Sequence, residues 1–254
     1  MDITNPLSED EIGRHFSGYE KTFNFEGYYI NNNHKYYAEC PVIDETIIDI
    51  GINGWLRRAD ALKIYELAYY SHGGILEFGS YQGLSTSILS QANYDSGLKK
   101  EIYTIDINDS FLEISKQNLI MRGLEKKVFF HLSNSSDALK ELTKRNKKFG
   151  FIFIDHSHEY QPVLEVCNKL SDLLIDGGFC LFHDYIHADT FNLSIKDFKV
   201  YQAVNDGLDK KIFKFYGIFG CTALYRMVQH PFLVIIKDRV RSKLSQYPTI
   251  LYQR

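Results

Sequence analysis

The 254-residue chain is poor in the residues that build special chemistry by themselves. It has four cysteines, five prolines, three methionines and one tryptophan. Cys40, Cys167, Cys180 and Cys221 stand far apart, and no Cys-x-x-Cys spacing supports a zinc site. They suit buried thiols better than a disulfide framework. The first residues lack the basic start and apolar core of a secretory signal, so the expected location is the cytoplasm. No apolar run is long enough to cross a bilayer, and Phe232–Ile236 is short enough to be a strand or a docking segment. The formal net charge of −3 provides no basic excess for a nucleic-acid partner. The Lys144–Lys148 and Lys237–Lys243 clusters fit solvated faces. No repeat or low-complexity linker divides the chain, which suits one α/β domain with an appendage, or at most two small domains.

What is present is a regular alternation of apolar runs and helical patterns. Residues 1–55 are polar and aromatic with weak periodicity, and fit a lid, an oligomer contact or a mobile arm. Residues 56–72 carry a helical period that leads into Gly74–Phe78, a buried strand. Further strands are expected at 101–107, 128–132, 149–155 and 179–182. Helices are expected near 84–92, 111–122 (capped by Ser110), 136–146 and 160–175, the last ended by Asp176-Gly177-Gly178. This alternation implies a parallel sheet with helices on both faces. A helix at 200–210 and strands at 211–216 and 221–227 then form an antiparallel pair. Residues 229–254 make a basic tail with room for a short helix.

The stretch Glu77-Phe78-Gly79-Ser80-Tyr81-Gln82-Gly83 joins a strand to a helix N-terminus, at the carboxyl end of the expected sheet. Its glycines permit a sharp turn and close approach of a ligand, with Ser80 and Ser85 as hydroxyl contacts or caps. It is not the Gly-x-Gly-x-x-Gly of a pyrophosphate loop. Glu77 disfavours a phosphate and suits a ligand with a positive charge, such as an ammonium or a sulfonium. Asp106 ends the next strand about 20 residues on, where an acid accepts from ribose hydroxyls.

Asp155 and Asp184 each follow a predicted parallel strand and point into the same crevice. On neighbouring strands about 5 Å apart they can share one cation, Mg²⁺ or, with imidazole, Mn²⁺. His158, one helical turn beyond Asp155, suits a proton acceptor near neutrality. His183 beside Asp184 is a ligand, a second base or a hydrogen-bonding group.

These residues resemble class I S-adenosylmethionine-dependent methyltransferases over about 55–227. The loop 77–83 is similar to their first motif, with Asp106 at their ribose-binding position and Ser133-Asn134-Ser135 where adenine is contacted. Phe153–Tyr160, Asp176-Gly177-Gly178 and Phe182-His183-Asp184-Tyr185 resemble the branch of macrocin-type sugar O-methyltransferases and cephalosporin-hydroxylase-like proteins. The resemblance implies a Rossmann-like α/β fold: a seven-stranded, mostly parallel sheet with an antiparallel last strand. Residues 1–55 would be a cap, 56–228 the cofactor-binding domain and 229–254 a tail. It implies methyl transfer from S-adenosylmethionine to a hydroxyl of a small molecule, a sugar or a secondary metabolite, with no nucleic-acid or membrane partner. A homo-oligomer is compatible with it.

In that frame the cofactor is expected at Glu77, Gly79, Ser80, Tyr81, Gly83, Ser85, Asp106, Asn134, Ser135 and Asp155. A divalent metal, Mg²⁺, is expected at Asp155, Asp184 and His183. Asp155 and His158 are the expected catalytic pair, as an acid and a histidine at this spacing are in the sugar-methylating relatives. Those relatives commonly carry two carboxylates, or a carboxylate and an amide, where His183-Asp184 stands. The competing readings are an NAD-dependent oxidoreductase, disfavoured by the loop, and a catalytically silent scaffold. A nucleic-acid methyltransferase would need an Asn-Pro-Pro-Tyr-type motif after the fourth strand, and none is present.

Overall fold

The computed structural model describes residues 7–228 apart from 45 and 193. The expected basic tail, its short helix and Phe232–Ile236 lie outside the described residues. The chain opens with α1 (Glu9–Gly13), β1 (His15–Phe16), α2 (Asn32–Glu39), β2 (Val42–Ile43) and β3 (Ile47–Ile48). There follow α3 (Arg58–Tyr70), β4 (Gly74–Phe78), α4 (Leu84–Ser96), β5 (Ile102–Asp106), α5 (Asp109–Met121) and β6 (Val128–Leu132). Next come α6 (Ser135–Lys144), β7 (Phe149–Ile154), α7 (Tyr160–Cys167), α8 (Leu170–Leu173) and β8 (Leu174–Phe182). The chain then forms α9 (Val200–Gly207), β9 (Phe213–Phe219) and β10 (Thr222–Met227).

Eight strands form the main sheet in the order β1-β9-β10-β8-β7-β4-β5-β6. Strands β6, β5, β4, β7 and β8 run parallel, and β10 lies antiparallel to both β8 and β9. The antiparallel last strand is as expected, and the two-residue β1, parallel to β9, is an eighth strand beyond the seven. Alternation along each strand feeds two cores. Leu76, Phe78, Ile152, Ile154 and Phe182 pack with α6, α7, α8 and α9. Ile75, Phe151, Phe153 and Leu181 pack with α3 and α4 on the other face. The order of strands reverses beside β4, so β4 and β7 bound the crevice where ligands enter such sheets.

Three boundaries differ from expectation. Asn108, not Ser110, caps α5, because its side chain accepts from Phe111 N–H. The helix expected at 160–175 breaks into α7 and α8. Asp176-Gly177-Gly178 lies inside β8 rather than ending a helix, with Gly177 at φ +78° and a register shift between Phe149 and Phe151 where β7 meets β8. Among the described residues, no helix is long and apolar enough to cross a membrane.

The N-terminal segment is fastened to α3 by a buried ion pair. Lys63 Nζ lies 2.7 Å from Glu66 Oε2, and both side chains are fully buried. Lys63 also donates to Glu20 O and to Thr22 Oγ1, while Glu66 Oε1 accepts from Thr22 and Phe23 N–H. Removing one partner strands the other charge. Glu66→Ala should cost about 3–5 kcal/mol in urea denaturation, and the double change Lys63→Met/Glu66→Leu markedly less.

Candidate active site

At the end of β4, Gly79 has φ +90°. A Cβ there would lie 1.9 Å from the Asp155 carbonyl oxygen, so only glycine lets the loop pass the end of β7. The Asp155 N–H donates to Phe78 O at 2.8 Å and fixes the two strand ends side by side. Tyr81 takes the left-handed region at φ +42°, a strained setting for a bulky residue. Gly83 (φ +92°) caps α4 and passes close over Ser115 of α5.

Two cavities open on this loop. The first, of about 480 Å³, is lined by Gly79, Ser80, Tyr81, Ser85, Asp155, His158, His183 and Asp184 of the expected residues. Trp55, Arg57, His187 and Phe198 also line it. The second, of about 430 Å³, is lined by Gly79, Tyr81, Asp106, Asn134, Ser135 and Asp155, with Phe111 and His156. Gly79, Tyr81 and Asp155 border both.

Glu77 and Gly83 line neither cavity. Strand alternation turns the Glu77 side chain away from Leu76 and Phe78 and under α4, where it is fully buried. Its carboxylate accepts from Ser85 Oγ at 2.5 Å, Thr86 Oγ1 at 2.6 Å and Thr104 Oγ1 at 2.6 Å. Burial outweighs these donors and lifts its pKa to about 7. The expectation that Glu77 meets a cationic ligand is therefore corrected: it organises the loop from below. Asp106 stands at the cavity wall. Its Oδ2 accepts from Tyr81 N–H at 2.9 Å and from Ser80 Oγ at 3.5 Å, and Oδ1 accepts from Asn108 N–H at 2.8 Å, leaving Oδ1 further acceptor capacity. Asn134 caps α6 through its side chain.

In the first cavity two acids and two imidazoles converge. His183 Nδ1 lies 3.0 Å from Asp155 Oδ1 and 3.6 Å from Asp184 Oδ2. His158 Nε2 lies 3.6 Å from Asp155 Oδ1 and 3.4 Å from Asp184 Oδ2. Asp155, His158 and His183 offer ligand atoms within 4.8 Å of one another. Burial alone would raise Asp155, yet His183 and His158 hold it below the usual carboxylate range. Burial likewise opposes charge on His158, and the Asp155 and Asp184 carboxylates outweigh it, raising its pKa. Asp184 sits at φ +48°, so the backbone is strained where its carboxylate is presented.

Further residues line the two walls. Phe198 stacks on His187 at 3.7 Å and on His158 at 5.3 Å between ring centres. Trp55 packs on Tyr81 across the cavity mouth. His156 packs on Phe78, and both its ring nitrogens lack hydrogen-bond partners; burial lowers its pKa to about 4. Its place after Asp155 was visible in the sequence, but its direction depends on the turn behind β7.

Two outcomes follow for the loop. Gly79→Ala should lower stability by at least ~1–3 kcal/mol from the backbone strain alone, read in thermal unfolding. Glu77 is an acid whose folded-state pKa is raised, so stability should fall as pH rises from its ordinary 4.5 to about 7. Glu77→Gln should remove that part of the slope in urea titrations across this range.

Residues 76–185 match a family described as a methyltransferase domain. Catechol O-methyltransferase from Bos taurus is 27% identical over 161 residues, covering 58% of this chain and 57% of the relative. The Mus musculus enzyme is 27% identical over 155 residues, covering 55% of this chain. The chain thus matches little more than half the length of these relatives. Among solved structures, the O-methyltransferase TomG from Streptomyces achromogenes, in complex with S-adenosylmethionine, has a TM-score of 0.55 at 17% identity. That match covers 68% of this chain and 82% of TomG. An O-methyltransferase from Bacillus cereus bound to S-adenosylhomocysteine has a TM-score of 0.51 at 17% identity, covering 66% of this chain and 78% of its own. These likenesses are of fold. Residues 76–185 therefore match a methyltransferase-domain family, and the chain shares the fold of these solved O-methyltransferases.

Proposed function

We propose that this protein transfers the methyl group of S-adenosylmethionine to a hydroxyl of a small molecule, of the sugar or secondary-metabolite kind. The observation that carries this reading is the shared border of the two cavities, at Gly79, Tyr81 and Asp155. A donor in one and an acceptor in the other meet at that border, as in-line transfer requires. The second cavity suits the adenosyl part: Asp106 faces the ribose hydroxyls, and Asn134 and Ser135 border the adenine. Gly79, Ser80, Tyr81 and Ser85 flank the methionine part, and Asp155 borders both cavities beside the line from methyl to acceptor. Bound there, S-adenosylmethionine supplies an electrophilic methyl on a sulfonium sulfur.

The first cavity takes the acceptor. Ile47, Gly54 and Trp55 belong to residues 1–55, which serve as a cap over the domain formed by 56–228. His158 Nε2 is placed to receive the hydroxyl proton, and the carboxylates that raise its pKa also stabilise the imidazolium it becomes. The donor set fits a divalent cation: His158 Nε2 and His183 Nδ1 are buried, lack hydrogen-bond partners and face carboxylates. Asp155, Asp184 and His183 would hold the ion. It would supply positive charge beside the acceptor hydroxyl and lower its pKa.

Calorimetry with S-adenosylhomocysteine tests the first step. Binding is expected, and Asp106→Ala should weaken it about 10- to 100-fold. No binding of either S-adenosylmethionine or its demethylated product would end the proposal. With a panel of hydroxylated acceptors, His158→Ala should lower kcat by about 10²–10⁴ while leaving S-adenosylhomocysteine affinity unchanged.

A further inference from the structure

Asp60 and Cys221 lie beneath the acid–imidazole cluster, and the reaction outlined above gives them no task. Asp60, in the first turn of α3, has no exposed surface, and Cys221 is buried in the turn just before β10. Asp60 Oδ1 accepts from the Cys221 N–H at 3.3 Å, and Oδ2 accepts from the Arg57 N–H at 2.9 Å and from the Cys221 thiol at 3.5 Å. The Cys221 sulfur lies 3.5 Å from His183 Nε2, with Asp60 Oδ2 3.8 Å from the same nitrogen. A thiol that has given its only proton to Asp60 can act toward His183 only as an acceptor. Nε2 therefore carries a proton, and Nδ1 is the nitrogen left to the cavity.

His183 is 5% exposed, and its Nδ1 has no hydrogen-bond partner although two carboxylates face it. Two carboxylates facing Nδ1 favour positive charge at that point, supplied by a proton on the ring or, in its place, by a bound cation. The separations of Nδ1 from Asp155 Oδ1 and Asp184 Oδ2, 3.0 and 3.6 Å, match adjacent corners of a coordination shell. Metal–ligand bonds of about 2.0–2.2 Å give corner separations of about 2.8–3.6 Å, from octahedral to tetrahedral. His158 Nε2 stays beside this group, within reach of the same carboxylates.

We propose that Asp60 and Cys221 act as positioning residues that fix His183 as an Nδ1 donor, so that the site takes a first-row transition dication in preference to Mg²⁺. The proposal deepens the reading of Asp155, Asp184 and His183 as the ion's holders. Mg²⁺ keeps oxygen ligands and its own waters, whereas imidazole suits Fe²⁺, Ni²⁺, Cu²⁺ and Zn²⁺. A carboxylate-backed partner on the far ring nitrogen is the usual way a histidine ligand is oriented, and its loss typically weakens metal binding 10- to 100-fold.

The test uses the full chain, with Co²⁺ as the probe and visible absorption as the readout. S-adenosylhomocysteine binding is measured in parallel on every variant. The wild type should bind Co²⁺ without a thiolate charge-transfer band, because Cys221 donates rather than ligates. Mg²⁺ should displace it only at about 100-fold excess or more. His183→Asp should bring that excess to about 10-fold or below. Cys221→Ala should weaken Co²⁺ about 10- to 100-fold and alter its spectrum, with Asp60→Asn as a second variant should the first unfold. Displacement by equimolar Mg²⁺, a thiolate band, or wild-type Co²⁺ affinity and spectrum in Cys221→Ala would overturn the proposal. So would failure to bind Co²⁺ in a protein that binds S-adenosylhomocysteine. Co²⁺ held with this selectivity by a chain that ignores S-adenosylhomocysteine would leave the ion site standing and remove the methyl-transfer reading.

Discussion

The contact between Gly79 and Asp155 is the constraint on which the site depends. The loop after β4 must cross the end of β7 so closely that any side chain at Gly79 would collide with the Asp155 carbonyl. Two consequences come from this one approach. The loop is turned outward over α4, which opens a cavity toward Asp106. Asp155 is held at the boundary between that cavity and the one containing His158, His183 and Asp184. Left-handed backbone occurs here too, at Tyr81, Asp184 and Phe198, whose side chains line the crevice.

Polar burial is handled differently on the two sides of this boundary. Under the loop, Glu77 is buried but satisfied by three hydroxyls, so it stabilises the turn and asks for no ligand. Across the boundary the two imidazoles face carboxylates with ring nitrogens that have no hydrogen-bond partner. The first arrangement is closed and structural. The second is open to a proton, a hydroxyl or a cation, which is where chemistry is expected. Asp60 and Cys221 join the two ends of the fold to it, since α3 follows the N-terminal segment and Cys221 precedes the inserted antiparallel strand.

Much of the fold was legible because its interior strands are continuous apolar runs separated by helical periods. Phe149–Ile154 is apolar throughout and is buried throughout. Boundaries were less legible where local signals conflict with tertiary ones. Asp176-Gly177-Gly178 looks like a helix stop, yet it lies inside β8 as an irregularity: Leu174 pairs with Phe149 and Phe179 with Phe151, so the three residues bulge between two paired positions. Residues 1–55 carry no clean period because their aromatic side chains pack on α3 from irregular backbone. Tyr19, Tyr37, Ile48 and Ile52 belong to the same core as Tyr65 and Leu67.

For the site, sequence alone determined the residue types and the strand ends that carry them: the glycine loop, Asp106, Asp155, His158, His183 and Asp184. Such assignments are local, because a residue at the carboxyl end of a parallel strand reaches the crevice whatever lies elsewhere. Only the tertiary structure decided which of them face a cavity and which lie beneath one. Glu77 and Ser80 are three residues apart in the same loop, yet only Ser80 lines a cavity, because strand alternation and the passage of α4 send Glu77 inward. Tertiary structure alone also brought Asp60 and Cys221, 161 positions apart, into hydrogen-bond contact beneath His183. No spacing along the chain encodes that meeting. It arises from the packing of α3 against the sheet and from the insertion of β10 between β8 and β9.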